Sequence, residues 1–374
     1  MRWPTPQLQE FCRIIQGGRS GLSGNDFVPE GFPAYGAGGL NGHLPTHEFD
    51  EPAVILSSIG ARCGKCFYAE GKWASLANTQ LIFPDPTKAD VRFLWIQLND
   101  ESRWHRSGTG QPFIKPSDVK AHRVLLPPLA EQRRIAEVLD RAEALRAKRR
   151  AALAQLDSLP QSLFLDLFGD PAANPKGWPV RQLGELIVDG PQNGLYKPST
   201  DYGSGTPILR IDAFYDGVVT DISTLKRVRL TKAEATSFQL TENDVVINRV
   251  NSLEYLGKCA LIPELPEPTV FESNMMRMRF DSKIAHPRFV VQFLQTGFAK
   301  SQIQMRAKHA VNQASINQQD VSGFRVSLPS IELQHEFARR VTAVEKLQTP
   351  QRASLAELDA LFATLQHRAF KGDL

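Results

Sequence analysis

The sequence predicts an α+β fold: two mixed α/β modules, each followed by a long helix, with the two helices paired as an antiparallel coiled coil in a pseudo-twofold internal repeat. Three observations lead to this prediction. The chain repeats itself, a long apolar stripe closes each repeat, and short β-rich runs separated by glycines fill the remainder. A length of 374 residues also fits two domains better than one.

The internal repeat is the strongest of these observations. A shift of 202 residues aligns 111–168 with 313–370 without a gap and gives 21 identities in 58 positions. A second match, at a shift of 175 residues, aligns Trp3 with Trp178. Because the two shifts differ by 27, we expect the second module to be longer than the first by that many residues.

Between these matches the two halves diverge. The tripeptide Gly-Lys-Cys at 64–66 recurs at 257–259, and Asn78 is a candidate match for Asn274. A common scaffold with different loops explains this pattern. The matches divide the chain into four predicted segments, which are the first module at 1–127, a helical segment at 128–170, the second module at 171–328 and a second helical segment at 329–374.

The first long helix is predicted at 129–168. Pro127 and Pro128 suit a helix start, and Gly169 followed by Pro171 is a strong stop. Such a helix would be about 60 Å long, more than one small module can cover, so it needs a partner helix. The predicted pairing positions are Ile135, Val138, Leu145, Leu156, Leu159 and Leu163 on the first helix and Phe337, Val341, Val344, Leu358, Leu361 and Leu365 on the second.

Two features complicate the helices. Pro160 and Pro350 lie inside the predicted segments, and we expect a kink near each, because an interior proline removes a backbone hydrogen bond. The basic stretch at 146–150 could touch DNA phosphates, but a solvated helix face is the favoured interpretation.

The modules are predicted to be mixed α and β. Strands are expected at 53–57, 80–83, 206–211, 244–248 and 275–280, and a helix at 286–298. The glycine-rich stretch 36–42 lacks the third glycine of a dinucleotide fingerprint and is expected to be a loop.

Polar, basic and aromatic residues cluster at loops beside these strands. Arginine, asparagine and glutamine can read base edges of DNA by paired hydrogen bonds, although each residue could instead pack or pair within its module. The candidate DNA contacts are Arg19, Tyr35, Arg62, Lys65, Asn193, Tyr196, Lys197, Arg210, Asn248, Arg249, Asn251 and Lys258.

The composition restricts the functional classes. A formal net charge of +4 permits contact with a polyanion without indicating it. No apolar run approaches the roughly 20 residues that a membrane span requires, so no membrane role is expected. The lack of a secretory apolar stretch near the beginning, together with only four cysteines, predicts a cytoplasmic protein.

Several catalytic and cofactor motifs fail. Cys63 and Cys66 form a Cys-x-x-Cys without the second pair that zinc requires. No phosphate-binding Gly-x-x-x-x-Gly-Lys-Ser/Thr loop and no Asn-Pro-Pro-Tyr of amino-methyltransferases is present. Asp118 with Lys120 imitates part of a nuclease signature, but the repeat does not preserve the lysine. We therefore predict no catalytic residue and no metal site.

The repeated segments resemble the specificity subunits of type I restriction-modification enzymes across nearly the whole chain. The matching stretches are Leu-Pro-Pro-Leu-Ala-Glu-Gln-Arg-Arg-Ile at 126–135, Phe-Gly-Asp-Pro at 168–171, Asn-Pro-Lys-Gly-Trp-Pro at 174–179 and Ala-Phe-Lys-Gly-Asp-Leu at 369–374. The combination is specific, although each short motif alone is not.

The resemblance implies a non-catalytic subunit. Each module would be a target-recognition domain that reads one half of a bipartite, asymmetric site in double-stranded DNA. The paired helices would set the spacing and dock two methyltransferase subunits, which motor-nuclease subunits then join. S-adenosylmethionine, ATP and Mg²⁺ would belong to those partners, with no cofactor bound by this chain.

Three alternatives remain open at this stage. One is the specificity subunit of a related system that fuses nuclease and methyltransferase in one polypeptide. Another is a coiled-coil scaffold whose modules bind protein or carbohydrate. The third is an enzyme in its own right, which depends on Asp118 and Lys120.

Overall fold

The computed structural model describes residues 3–18, 20–22, 24–108, 110–220, 222–311 and 313–371. The chain divides into two compact units, one formed by Met1–Ala151 with Ala353–Leu374 and the other by Ala152–Arg352. Each unit therefore contains one module, the first half of the helix that follows it and the second half of the other long helix.

The first module contains two small sheets. One has the strand order β1-β7-β4-β5 with antiparallel neighbours, and the other has the order β3-β2-β6. The strands are β1 Cys12–Gln16, β2 Phe32–Gly36, β3 Gly39–Leu44, β4 Ala53–Ser57, β5 Cys66–Ala69, β6 Ala74–Ser75 and β7 Thr79–Pro84. The helices are α1 Val91–Leu98, α2 Pro116–Ala121 and the long α3 Leu129–Phe168.

The second module is built around a sheet of order β11-β12-β16-β14-β18-β9. Smaller sheets have the orders β13-β10-β17, β15-β20-β19 and β21-β8. The elements are β8 Val180–Gln182, β9 Ile187–Asn193, β10 Tyr202–Leu209, β11 Phe214–Tyr215, β12 Gly217–Val219, β13 Lys226–Val228, α4 Lys232–Ser237, β14 Val245–Asn248, β15 Val250–Asn251, β16 Cys259–Leu261, β17 Val270–Phe271, β18 Met275–Phe280, α5 Pro287–Leu294, α6 Gly297–Arg306, β19 Lys308–Ala310, β20 Gln313–Ser315, α7 Gln318–Ser322, β21 Arg325–Ser327 and the long α8 Ile331–Ala369.

The two modules share a scaffold in the regions where their sequences diverge. Ser57 N donates to Lys65 O at 2.8 Å, and Asn248 N donates to Lys258 O at the same distance. In the register of the sheets, β4 pairs with β5 and β7 as β14 pairs with β16 and β18. The match of the Gly-Lys-Cys tripeptides is therefore confirmed.

The match of Asn78 with Asn274 is also confirmed. Ser58 N donates to Asn78 O at 2.9 Å in the first module, and Arg249 N donates to Asn274 O at 2.8 Å in the second. Both asparagines immediately precede the strand that lies beside the central one, so the alignment follows the backbone pairing and not only the side-chain type.

Most predicted strands are present, with shifted ends in some cases. β4 and β18 have the predicted bounds, whereas β10 lies about half a strand earlier than predicted. The predicted helix 286–298 is wrong, because the chain breaks between α5 and α6, where the hydroxyl of Thr296 accepts from Ala299 N at 3.3 Å and caps a new helix. The glycine stretch 36–42, predicted as a loop, is mostly strand: it contains the end of β2, a tight turn at 37–38 and the start of β3, where Gly39 has a φ of +100°.

The long helices have the predicted extent. α3 spans the predicted residues and, like α8, continues through its interior proline without a break. Within the first unit, the guanidinium groups of Arg146 and Arg150 bind Asp359 at 2.6 and 3.2 Å. Within the second, Arg352 binds Asp157 at 2.9 Å. In these pairs a later residue of α3 has an earlier partner on α8, so the two helices are antiparallel.

The predicted pairing positions of α3, which form its seam with α8, are wrong by one residue in places. Leu145 is 55% exposed and Leu159 is 37% exposed, whereas Leu139 and Leu153 are buried. Arg146 takes the seam position, since its guanidinium lies 4.3 Å from the ring centroid of Phe362. The prediction placed Leu145 and not Arg146 in this position, but a long arginine stem packs well on apolar surface.

The remaining predicted pairing positions divide by burial. Leu361 of α8 is 51% exposed and is therefore also outside the seam. The buried positions are Ile135, Phe337, Val341 and Val344, and the half-buried ones are Val138, Leu156, Leu163, Leu358 and Leu365.

Candidate nucleic-acid interface

The second module gathers its loops at one edge of its main sheet. β9 and β14 end where β16 and β18 begin, because antiparallel neighbours place the end of one strand beside the start of the next. β10 and its parallel neighbour β17 end nearby, and Glu272 N donates to Leu209 O at 3.0 Å. We call the segments 193–197, 210–216, 248–258 and 272–274 the loop edge of the second module.

All the candidate DNA contacts of the second module lie on this loop edge. Asn193 is exposed and Tyr196 is 77% exposed. The half-buried candidates are Lys197, Arg210, Arg249, Asn251 and Lys258. Residues separated by up to 65 positions in sequence are thus brought together, although several of them also have partners within the module.

Lys258 is half-buried and connects two segments of the loop edge. Its Nζ donates to Ile211 O at 2.6 Å and lies 3.9 Å from the ring centroid of Tyr215. Burial lowers the pKa of this ammonium group, and the nearby Asp212 partly opposes that shift. Cation-π contact and a carbonyl acceptor replace the lost hydration, so the lysine holds two loops together.

Two other cations are engaged in ion pairs. Arg210 Nε lies 3.3 Å from Glu272 Oε2, and Glu272 also accepts from Ile211 N at 2.7 Å. Burial raises the pKa of the Glu272 carboxyl, while the hydrogen bond from Ile211 N and the charge of Arg210 oppose the rise. Lys197 Nζ lies 2.8 Å from Glu234 Oε1. A DNA phosphate would have to compete with these carboxylates for both cations.

Asn248 is placed away from the surface. Its side chain is fully buried, and neither atom of its amide has a hydrogen-bond partner among the described residues. The equivalent position in the first module is Ser57, whose hydroxyl is buried and unpartnered in the same way. Burial beneath the loops prevents a base contact in this conformation, so Asn248 is removed from the candidate contacts.

Sequence reasoning missed exposed residues at the loop edge. Tyr215 and Tyr255 are 47% and 43% exposed. A hairpin formed by β19 and β20 lies beside β15 and presents the exposed Lys308 and His309, with Val311 91% exposed at its end. The signal was available as a basic dipeptide followed by small residues at 308–311, a stretch for which the sequence analysis made no prediction.

The first module presents a different loop edge at the equivalent strand ends. Arg62 is exposed, and its guanidinium donates to Gly38 O at 2.6 Å, whereas Lys65 is half-buried. Tyr35 lies in the other sheet, where its ring meets Trp73 edge-on at 6.1 Å and burial raises its pKa. Arg19 lies outside the described residues.

The cysteines have structural roles. Cys63 Sγ donates to Ser58 O at 3.4 Å, and Cys66 Sγ donates to Leu98 O at 3.3 Å. Burial raises the pKa of both thiols. Among the described residues, no group of three or more His, Cys, Asp or Glu side chains is arranged to hold a metal ion, and no helix is long and apolar enough to span a bilayer.

Comparison with known proteins decides the family. A family model described as the type I restriction modification DNA specificity domain matches residues 2–155 and 175–359. The chain belongs to this family. The two matched segments correspond to the two copies of the internal repeat, so this specificity chain carries the domain twice.

Similar proteins include several curated specificity subunits. The EcoKI specificity subunit of Escherichia coli K12 is 28% identical over 281 residues, which cover 70% of this chain and 60% of that protein. The EcoDI specificity subunit of Escherichia coli is 23% identical over an alignment that covers 100% of this chain and 88% of that protein. The chain thus spans less than two thirds of the EcoKI relative.

Solved structures show the same fold. The crystal structure of a type I restriction-modification S subunit from M. genitalium matches with a TM-score of 0.65 and 16% identity, covering 98% of this chain and 96% of that one. A chain from a study of complex assembly and conformational transition in the type I system matches with a TM-score of 0.57 and 18% identity, covering 100% and 98%. The α+β architecture with two long helices is therefore confirmed.

Proposed function

We propose that this protein is the non-catalytic subunit that gives a type I restriction-modification complex its DNA specificity. Each module, 1–127 and 171–328, reads one half of a bipartite target in double-stranded DNA. The observation that carries this proposal is that one sheet edge is built twice on a shared scaffold with different loops, in a chain of the specificity family.

The chemistry of the loop edges supports DNA as the ligand. Contacts to phosphates fix the position of a protein on DNA, while asparagine and arginine side chains distinguish base pairs in the major groove. The loop edge of the second module offers Asn193 and Tyr196 at its surface beside the basic hairpin with Lys308 and His309. The first module offers Arg62.

The two half-sites should differ in sequence. α6 and the hairpin of β19 and β20 lie between α5 and α7 in the second module. In the first module, the described residues 104–108 and 110–115, between the 3₁₀ turn that follows α1 and the start of α2, form no helix and contribute isolated β-bridges through Ser107 and Phe113. Because these segments adjoin the loop edges, the two modules present different surfaces, and an asymmetric target follows.

The long helices support docking of two copies of one partner. Leu145 and Leu347 are 55% and 58% exposed, and Leu159 and Leu361 are 37% and 51% exposed. Each pair is related by the repeat, so α3 and α8 present the same two leucines with the same spacing. Single exposed leucines are common, so it is their repetition on both helices, and not their exposure alone, that supports a binding surface. We assign them to two methyltransferase subunits, which together with motor-nuclease subunits carry S-adenosylmethionine, ATP and Mg²⁺ in the cytoplasm.

A module exchange tests the proposal. Residues 1–110 are replaced by the corresponding segment of a family member with a different target, and the methylated sites are mapped in cells that carry the complete system. We expect one half-site to change while the other half-site stays the same. A change in both halves would contradict independent reading by the two modules.

A further inference from the structure

A buried glutamine joins α3 to the first module. Gln132 lies in the first turn of α3 with none of its surface exposed. Its Nε2 donates to Pro127 O at 2.7 Å and to Lys88 O at 2.9 Å, and its Oε1 accepts from Asp90 N at 2.8 Å. Both amide donors and the acceptor are thus paired. One side chain ties together the helix, the residues that lead into it and the loop before α1.

A second glutamine does the same in the second unit. Gln334 is fully buried in the first turn of α8. Its Nε2 donates to Pro329 O at 2.9 Å and to Ile284 O at 3.1 Å, and its Oε1 accepts from His286 N at 2.8 Å. Asp90 and His286 are the N-cap residues of α1 and α5. Each glutamine therefore binds its long helix to the start of the module helix.

The three bonds are identical although the connecting chains differ in length. Gln132 lies 42 residues after Asp90, whereas Gln334 lies 48 residues after His286. The longer connection includes the added α6 and hairpin. The three hydrogen bonds of each glutamine are thus maintained although the loops differ. This indicates that the glutamines have a role in how each long helix meets its module.

The neighbouring contacts are less directional. Phe93 packs in one cluster with Ile135 and Leu139, but apolar contact is non-directional and tolerates small rotations of the helix. Arg92 also forms an ion pair with Asp140 at 2.7 Å, but their side chains are 41% and 32% exposed, so this pair restricts the helix weakly. Buried hydrogen bonds have a fixed geometry, so they are the contacts that define the angle between the long helix and its module.

We propose that Gln132 and Gln334 are positioning residues that fix each module on its long helix and thereby set the length of the gap that the protein accepts between the two half-sites. The inference rests on the proposed function. Neither side chain is accessible to DNA, so both act through the orientation of the module and not through base contacts.

The test measures how strictly the gap is selected. The specificity chain carrying Q132M, assembled with its methyltransferase subunits, is offered DNA with the cognate gap and with gaps one base pair shorter or longer. Methionine keeps the length of the side chain but forms none of the three hydrogen bonds. We expect methylation at the altered gaps, relative to the cognate gap, to rise at least tenfold with both half-site sequences unchanged. The same result is expected for Q334M.

Gln97 provides the matched control. It is also buried, and its amide binds Leu125 N at 2.6 Å and Leu125 O at 2.9 Å, so both of its bonds lie within the first module. Q97M therefore removes two buried amide bonds of the same kind but keeps the three bonds that Gln132 makes at the start of α3. We expect Q97M to keep the gap selectivity of the parent protein.

Each other outcome overturns the inference. Unchanged gap selectivity in Q132M and Q334M would do so, and so would equal relaxation in Q97M, which would show a general effect of destabilisation. Failure of both Q132M and Q334M to form folded complexes would also contradict it, because the apolar clusters should maintain each unit. If the parent complex itself methylated without any dependence on the gap, the proposed function would fail before the variants were compared.

Discussion

The two modules agree where they meet the long helices and differ where they end in loops. Gln132 and Gln334 make the same three bonds, and α1 and α5 lie in equivalent places after equivalent strands. At the loop edges, by contrast, the second module holds Lys258 among aromatic rings and adds a hairpin. The contrast indicates that both modules meet their long helices with one geometry, while the two loop edges are free to differ.

The units also differ in the packing around their module helices. In the second unit, the ring of Phe289 lies 5.6 Å from that of Phe164 and 5.1 Å from that of Phe168. In the first unit, the one aromatic ring pair of Phe93 within the described part of the chain is with Phe370, at 5.9 Å. The second unit therefore gains more aromatic contact for the same architecture.

The largest effect is expected from changing the paired helices between the modules. An insertion of four residues within 142–156 lengthens α3 by about 6 Å at 1.5 Å per residue. We expect methylation at the original gap to be lost and a different gap to be recognised, with both half-sites unchanged. Methylation mapping in cells measures this, and recovery of the original gap would show that the helices do not set the spacing.

The packing difference predicts unequal losses of stability. Phe289→Ala should lower the free energy of unfolding by about 3–5 kcal/mol, because it removes a fully buried ring from an aromatic cluster. Phe93→Ala should cost less, near the lower end of that range. Denaturant unfolding monitored by fluorescence measures both. An equal or larger loss for Phe93→Ala would remove the distinction between the two units.

Point substitutions in the two loop edges should affect different half-sites. Asn193→Ala should weaken binding by about 1–3 kcal/mol and relax one position of the second half-site only. Arg62→Ala should affect only the first half-site and, if Arg62 contacts a phosphate, reduce the salt dependence of binding by about one counterion. Binding to duplexes with single base changes, at several salt concentrations, measures both. An Asn193→Ala effect on the first half-site would contradict the assignment.

The helix caps predict a pH difference between the units. Burial lowers the pKa of His286 to about 4, and the nearby His335 and Arg288 add to the shift. A folded-state pKa below the unfolded value means that the unfolded chain binds the extra proton first, so stability should fall as the pH drops from 7 towards 4. His286→Asn should remove this contribution, while the contribution of His122 in the first unit, whose pKa burial also lowers, should remain. Unfolding curves across this range would detect the change.

The extent of α3 and much of the strand pattern could be predicted from the sequence alone. The residues of the helix seam and the exposed residues of the loop edges could not be predicted in the same way. Steps of three or four residues allow both Leu145 and Arg146 to face the partner helix, and only packing against Phe362 decides in favour of the arginine stem. Asn248 looked like a base contact because it ends a strand beside a polar loop, but its side chain is fully buried.

The duplicated sequence by itself determined two modules on two long helices, because copies with the same apolar spacing and the same helix boundaries must satisfy the same packing and hydrogen-bonding requirements. Only the tertiary structure decided which polar side chains are buried when those requirements are met. Gln132 and Gln334 look like ordinary polar residues at a helix start, and their role emerges only where three chain segments, up to 50 residues apart, converge on one amide. Convergence of distant segments is a property of the folded chain, since burial and bond geometry depend on all the neighbours at once.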